Sequence, residues 1–180
     1  MMRTAVLAFA LTGSLAGGLA GQRLPLPQDA GAAYAAVLQA LPLDLAGREV
    51  LVDPRASLSF MDNAAPVDVW EKHLHSTASD PAVLALDHRV QDMSWCAETV
   101  ERSRCLGSTR QLHVTFSAPG MLGGFDVVVE ATFVTRTSDE RGAFLIQTWR
   151  YAFSRRDGGL TLQDRELLAS GHGRVGGGRP

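Results

Sequence analysis

Residues 125–133 read FDVVVEATF, and every second residue of this stretch, counted from its first phenylalanine, is apolar. The stretches 111–117, QLHVTFS, and 145–153, LIQTWRYAF, alternate in much the same way. Successive side chains on a strand point to opposite faces, so this period of two predicts strands with one apolar face. A tight-turn sequence, RDGG at 156–159, precedes a fourth strand at 160–168. The second half therefore predicts an antiparallel meander with one buried face.

The first half of the chain has helical spacing instead. Apolar residues three and four apart predict a first helix that Asp29 caps, over 30–41, and a second helix that begins at Pro66. A third helix is expected from Ser79-Asp80-Pro81 to about Val90. Between the first two, the run 49–52 predicts a short strand that Asp53-Pro54 stops. The expected fold class is α+β, with N-terminal helices packed on a curved four-stranded or larger antiparallel meander.

The amino terminus has the sequence pattern of an export signal. Arg3 precedes an apolar run, and Gly18-Leu19-Ala20 places small residues where an export peptidase reads them. We expect a cleaved secretory signal at 1–20, a linker at 21–28, one domain at 29–170 and a disordered Gly-rich tail at 171–180. The protein would then be periplasmic or extracellular. The alternative is a retained anchor, although the apolar run is shorter than the roughly 20 residues of a membrane span, and none is expected in the mature chain.

Charge and motifs exclude several function classes. The 180 residues carry 17 basic and 19 acidic side chains, a net charge of −2, which argues against nucleic-acid binding. The sequence GHGRVG at 171–176 spells a dinucleotide fingerprint, but it lacks the following helix that holds pyrophosphate. His73 and His75 point apart on a helix and cannot share an ion there. No cofactor and no metal are expected.

The two cysteines, Cys96 and Cys105, are an isolated pair. In an exported protein such a pair is most simply a disulfide. Free thiols, or a metal or redox pair, are the alternatives. The spacing is longer than in the usual metal or redox motifs, which favours the disulfide.

One catalytic hypothesis follows from aligning the predicted strands. If Val114 lies opposite Val129, then His113 lies opposite Glu130, and Thr148 lies opposite Glu130 in the next hairpin. His113, Glu130 and Arg150 would then share the polar face of the sheet. On a sheet that curls round this face they would line a cleft, where a His–Glu pair serves as a general base. On an open sheet they would form ion pairs facing water.

The aromatic residues of the apolar face carry a second hypothesis. They would line a pocket for an apolar ligand, or they would simply be the core against which the first helices pack. The residues concerned are Phe125, Phe133, Trp149, Tyr151 and Phe153.

The stretch WRYAFSRRDGG at 149–159, at the end of a long-stranded meander, resembles late strands of NTF2-like and SnoaL-like cone proteins. The resemblance covers about residues 110–168. It implies a curved sheet wrapped around a pocket, sometimes with an Asp–His acid/base pair and often with no activity. No catalytic position of that family matches a residue of this chain.

These patterns lead to three functional hypotheses. The first is an exported, non-catalytic domain that binds a small apolar ligand or another protein. The second is an acid/base enzyme of hydrolase or isomerase type that uses His113 with Glu130. The third is a structural or accessory protein of an envelope assembly. The sequence leaves the oligomeric state open.

Overall fold

The computed structural model describes residues 27–57, 79–92, 108–122, 124–137 and 143–174. These residues form one six-stranded sheet with strand order β2-β1-β3-β4-β5-β6 and few helices, an α+β or mainly β architecture. The elements are α1 (Pro27–Gln39), β1 (Glu49–Ser57), α2 (Pro81–Leu84), β2 (Arg89–Val90), β3 (Gln111–Ser117), β4 (Val127–Arg136), β5 (Ala143–Arg156) and β6 (Gly159–Arg174).

The predicted meander is present: β3, β4, β5 and β6 follow one another in the sheet, and each neighbouring pair is antiparallel. The β5–β6 hairpin closes through Asp157 and Gly158, whose φ angles are 50° and 81°. Positive φ at both turn residues suits the twist of a two-residue hairpin, and Asp-Gly is a favoured pair there. The turn predicted from the sequence therefore fixes the β5–β6 connection.

The sheet is mixed, so the expectation of an antiparallel sheet is wrong for its other half. β1 lies parallel to both β3 and β2. A parallel pair needs a long crossover, and residues 58–110 separate β1 from β3 in the chain. β1 also runs through Asp53-Pro54, which was expected to stop it. Pro54 lies at a register shift between Val52 and Ala56, where the regular ladder is interrupted and a proline is tolerated.

The predicted helices are only partly reproduced. α1 begins at Pro27, inside the predicted linker, so Asp29 lies in the first turn instead of capping it. The third helix is a single turn, α2, capped by Asp80, whose carboxylate accepts from the Ala82 N–H at 2.8 Å. The chain then turns into β2, because Arg89 and Val90 pair with β1. The predicted second helix lies outside the described residues.

The first face of the sheet carries the core that the alternation predicted. Leu112, Val129 and Trp149 all lie on it, as expected. The α1 residues Tyr34 and Val37 are fully buried in the same cluster, and the Tyr34 ring stacks on Phe116 with centroids 4.5 Å apart. A fully buried side chain of this kind stabilises the fold by roughly 1.5–3 kcal/mol. The helical stripe of α1 thus closes this face.

Much of the second face is buried as well, contrary to the prediction of one buried face. Five of its polar side chains on β3, β4 and β5 are enclosed, and the largest exposure among these five is 4%. Apolar residues alternate with them along the same face. Enclosed polar groups need partners, and Thr132 Oγ1 and Thr148 Oγ1 lie 3.0 Å apart. The enclosed polar residues are His113, Thr115, Glu130, Thr132 and Thr148.

β6 extends to Arg174, past the predicted start of the tail at residue 171. Gly171 pairs with Ile146 and Arg174 with Ala143. Four residues of the GHGRVG sequence are therefore extended strand, not a phosphate-binding turn. The predicted signal at 1–20 and both cysteines lie outside the described residues. Within the part of the chain that the structure describes, no helix combines the length and apolar character that crossing a bilayer requires.

Candidate functional site

The observed strand register separates the proposed His–Glu pair. Val114 lies opposite Phe133, not Val129, and His113 lies opposite Val134. His113 is thus four residues along β4 from Glu130, a distance of about 13 Å. Both residues keep the predicted face, because a shift by an even number of residues leaves every side chain on its side. The structure does not bring the proposed general base together.

Glu130 is instead paired with Arg150, directly opposite on β5. Arg150 Nη2 donates to Glu130 Oε1 at 2.7 Å, and Nε donates to the same oxygen at 3.1 Å. The Glu130 side chain has no exposed surface and that of Arg150 is 19% exposed. The backbone N–H of Glu130 also donates to Ser117 Oγ at 2.9 Å. The bonds between Arg150 and Glu130 are charge-assisted, and such bonds fix the positions of both side chains.

Arg150 reaches from this buried pair to the wall of a cleft. The cleft lies on the second face, over β4, β5 and β6, beside the chain that precedes β4, and it has a volume of about 120 Å³. That volume is enough for about four water molecules. Its apolar lining and its charged lining lie side by side. The residues are Leu122, Phe125, Val128, Arg150, Ala152, Asp164 and Glu166.

The chain before β4 is held against the sheet by backbone bonds. Gly120 and Val128 exchange two hydrogen bonds, at 2.9 and 2.8 Å. The Phe125 N–H donates to the Leu122 carbonyl at 3.2 Å, and Gly124 between them has a φ of 85°, a conformation that favours glycine. This turn carries Leu122 and Phe125 to the cleft.

The five aromatic candidates divide between core and cleft. Phe133, Tyr151 and Phe153 are enclosed in the core of the first face, and Trp149 packs against that core. Burial raises the pKa of the Tyr151 phenol. Only Phe125 lines the cleft, which is on the other side of the sheet. The aromatic row of β5 therefore stabilises the fold and does not form one pocket.

Trp149 belongs to a polar chain that ties β5 and β6 to the loop after α1. Its indole N–H donates to Gln147 Oε1 at 3.0 Å, and Gln147 Nε2 donates to Asp44 Oδ2 at 3.1 Å. The Arg165 guanidinium lies 5.1 Å from the Trp149 ring centroid and donates to the Ala40 carbonyl at 2.9 Å. A cation on the last carbonyls of a helix complements its dipole. These contacts have a structural role.

A second buried ion pair lies at the register shift in β1. Arg55 donates to Asp53 through Nε at 2.9 Å and through Nη2 at 2.7 Å, and its Nη2 lies 3.3 Å from Asp92 Oδ1. Hydrogen bonding to the Asp53 carboxylate raises the pKa of the Arg55 guanidinium. The pair satisfies two charges beside Pro54, where the regular ladder is interrupted.

The lining of the cleft limits its chemistry. Among the described residues, its lining contains no histidine, cysteine or serine, and the groups that could accept a proton are the carboxylates of Asp164 and Glu166. Among the residues that the structure describes, no three His, Cys, Asp or Glu side chains are grouped so as to hold a metal ion. Sequence reasoning missed Asp164 and Glu166, although two carboxylates two residues apart on a strand share a face, a signal that was available. No protein-family model, no curated protein and no solved structure matches this chain.

Proposed function

We propose that this protein is an exported, non-catalytic binding domain whose ligand occupies the cleft over β4, β5 and β6. Ligand sites combine apolar walls with a few convergent polar groups. Here Leu122, Phe125 and Val128 supply the apolar wall, and Arg150 supplies a polar group at its edge. The observation that carries the proposal is that buried Glu130 fixes Arg150 at the cleft, because a site works best when its side chains are held in place beforehand.

The acid/base enzyme is the weaker alternative. Its proposed base needs a histidine next to a carboxylate, and His113 lies four residues away from Glu130 along β4. Glu130 already accepts two hydrogen bonds from Arg150 and has no exposed surface. A general base must reach the proton that it removes, so this arrangement favours binding over catalysis. The envelope accessory protein differs from our proposal in its partner, which would be a protein.

The same proposal has three further parts. They are export, a disulfide between Cys96 and Cys105, and a curved sheet like the cone of NTF2-like proteins. The first twenty residues support export, and export in turn supports the disulfide. Curvature is supported by β6, where register shifts opposite Thr148/Trp149 and Ala152/Phe153 each add a residue to the strand. Bulges of this kind bend and twist a strand. A sheet bent at these points would place the cleft on its concave side.

The binding proposal is tested by NMR on the isotope-labelled chain with a library of small fragments. We expect fragments to shift the amide signals of residues 150–152 and 164–166. Ala152→Leu should fill the cleft and abolish these shifts, because Ala152 lines it. The matched control is Ala32→Leu, which adds the same atoms at an exposed position of α1. The proposal is overturned if no fragment moves these amides, or if Ala152→Leu binds the fragments as well as the control does.

A further inference from the structure

We infer that the cleft selects a ligand with a small apolar body and a positively charged amine. This inference rests on the proposed binding function and adds the chemical class of its ligand. Two features of the cleft carry it. One is the net negative charge of its side chains, because the carboxylates outnumber the one guanidinium. The other is the small volume of the cleft, whose lining is partly apolar.

The charge of the cleft is negative once its ion pair is considered. Arg150 is the cation of the lining, and its Nη2 contacts Glu130 Oε1 at 2.7 Å, so the two charges compensate one another. Arg150 Nη1 also forms an ion pair with Glu166 Oε2 at 3.6 Å, and the Glu166 side chain is 60% exposed. One guanidinium therefore faces the carboxylates of Glu130, Glu166 and Asp164, which leaves the group with a net negative charge. Asp164 has no ion pair among the described residues. Two carboxylates at the mouth thus attract a cation.

The two carboxylates of β6 lie on the same face of the sheet, beside the cleft. Asp164 lies opposite Ala152 and Glu166 lies opposite Arg150, so both carboxylates stand on the face that holds the cleft. A ligand carboxylate would have to approach Arg150 past these like charges. An ammonium group meets the carboxylates directly, while its hydrocarbon part enters the space between Phe125, Val128 and Ala152.

The volume of the cleft suits a small hydrocarbon part. About 120 Å³ holds about four water molecules, much less than the roughly 300 Å³ or more of a drug-sized site. A branched alkylamine such as 3-methylbutylamine has a matching size. Two molecules of nearly the same shape and different charge, 3-methylbutan-1-ol and 4-methylpentanoate, separate the contribution of charge from that of apolar contact.

The experiment titrates these three probes into the isotope-labelled full chain at pH 7 and low salt, with the amides of Ala152, Asp164 and Glu166 observed by NMR. We expect the amine to bind at least about fivefold more tightly than the alcohol, and the carboxylate to bind least. Asp164→Asn and Glu166→Gln should each weaken amine binding by about two- to fivefold, the range for an exposed charge pair. Asp157→Asn, an exposed carboxylate at the β5–β6 turn, is the matched control and should leave binding unchanged.

The outcomes distinguish this inference from the proposed function. If the alcohol or the carboxylate binds at these amides as tightly as the amine, the charge inference is overturned while the binding site stands. The same holds if library fragments bind there and none of the three probes does. If Asp164→Asn and Glu166→Gln leave amine binding unchanged, the two carboxylates do not select the ligand. If neither the probes nor the library fragments move these amides, the proposed function is overturned with it.

Discussion

Glu130 Oε1 accepts hydrogen bonds from both Nε and Nη2 of Arg150, at 3.1 and 2.7 Å, across the β4–β5 ladder. The carboxylate is fully buried and the guanidinium is four-fifths buried. The pair therefore holds a charge inside the sheet and turns the remaining side of Arg150 toward the cleft. The pair fixes the position of Arg150 at the wall of the cleft, which is different from the acid/base role that the sequence suggested for Glu130.

Removal of the Arg150 charge is expected to destabilise the fold strongly. Arg150→Met leaves the buried Glu130 carboxylate without its guanidinium partner, which costs about 3–5 kcal/mol. Urea unfolding at pH 7 measures the change. The control is Arg156→Met, at an exposed position directly before the Asp157-Gly158 turn. It should lower the free energy of unfolding by less than about 0.5 kcal/mol. The double variant Glu130→Gln/Arg150→Met should recover more than half of the loss, and a cost below about 1 kcal/mol for Arg150→Met would contradict a structural ion pair.

Because both tyrosines of the chain are buried, we expect the folded protein to lose stability at high pH. Burial raises the pKa of the Tyr34 phenol, and the charge of Asp80 with the hydrogen bond to it raises that pKa further. Burial also raises the pKa of Tyr151, against the opposing effect of Arg165. Since the folded state favours the protonated phenols, their stabilisation is complete below the unfolded pKa of about 10 and is lost as pH rises above it. The expected slope is up to about 1.4 kcal/mol per pH unit for each tyrosine.

Phenolate absorbance measures this directly, because the sequence holds only 2 tyrosines. The native chain should titrate at higher pH than the chain in urea. Tyr34→Phe should remove about half of the slope above pH 10. It should cost about 1 kcal/mol at pH 7 because the Tyr34 hydroxyl shares its single proton between Asp80 Oδ2 at 3.0 Å and the Ser117 carbonyl at 3.2 Å. Titration of both phenols near pH 10 in the native protein would show that they are not enclosed.

The β5–β6 turn predicts that alanine substitutions at two neighbouring glycines lower the free energy of unfolding by different amounts. Gly158 has a φ of 81°, and a side chain in this left-handed region costs about 1–2 kcal/mol. Gly159→Ala is the control, because its Cβ would meet the Arg156 carbonyl oxygen at an ordinary 3.8 Å and its φ is not positive. We expect Gly158→Ala to lower the free energy of unfolding by about 1–2 kcal/mol and Gly159→Ala to change it by less than about 0.5 kcal/mol. Equal effects in thermal or urea unfolding would contradict this turn geometry.

The Cys96–Cys105 disulfide stays a prediction, because both residues lie outside the described part of the chain. Mass spectrometry of the exported protein should find a mass that is lower than that of the reduced chain by two hydrogen atoms. Iodoacetamide should label neither cysteine in denatured protein until a reductant is added. A closed loop of this length stabilises by about 3 kcal/mol, so reduction should lower the urea midpoint. Labelling of both cysteines before reduction would identify them as free thiols.

The predicted site and the observed site share residues because alternation is a local property. Glu130, Thr148 and Arg150 were expected on one face and lie on one face. Their partners were misassigned because the predicted registers differ from the observed ones by two residues on one side of β4 and by four on the other. An even shift preserves the face of every side chain, so the pattern fits several registers equally well.

The amino-acid sequence by itself determined that the second half forms four successive strands, which side chains of a strand share a face, and the Asp157-Gly158 turn, because side-chain alternation and turn conformation depend on near neighbours in the chain. The tertiary structure decided the strand registers, the parallel placement of β1 beside β3, the enclosure of the second face and the cleft beside Arg150. Each of these depends on which distant segments meet. That choice depends on the combined packing of the whole sheet and leaves no periodic signal in any one stretch.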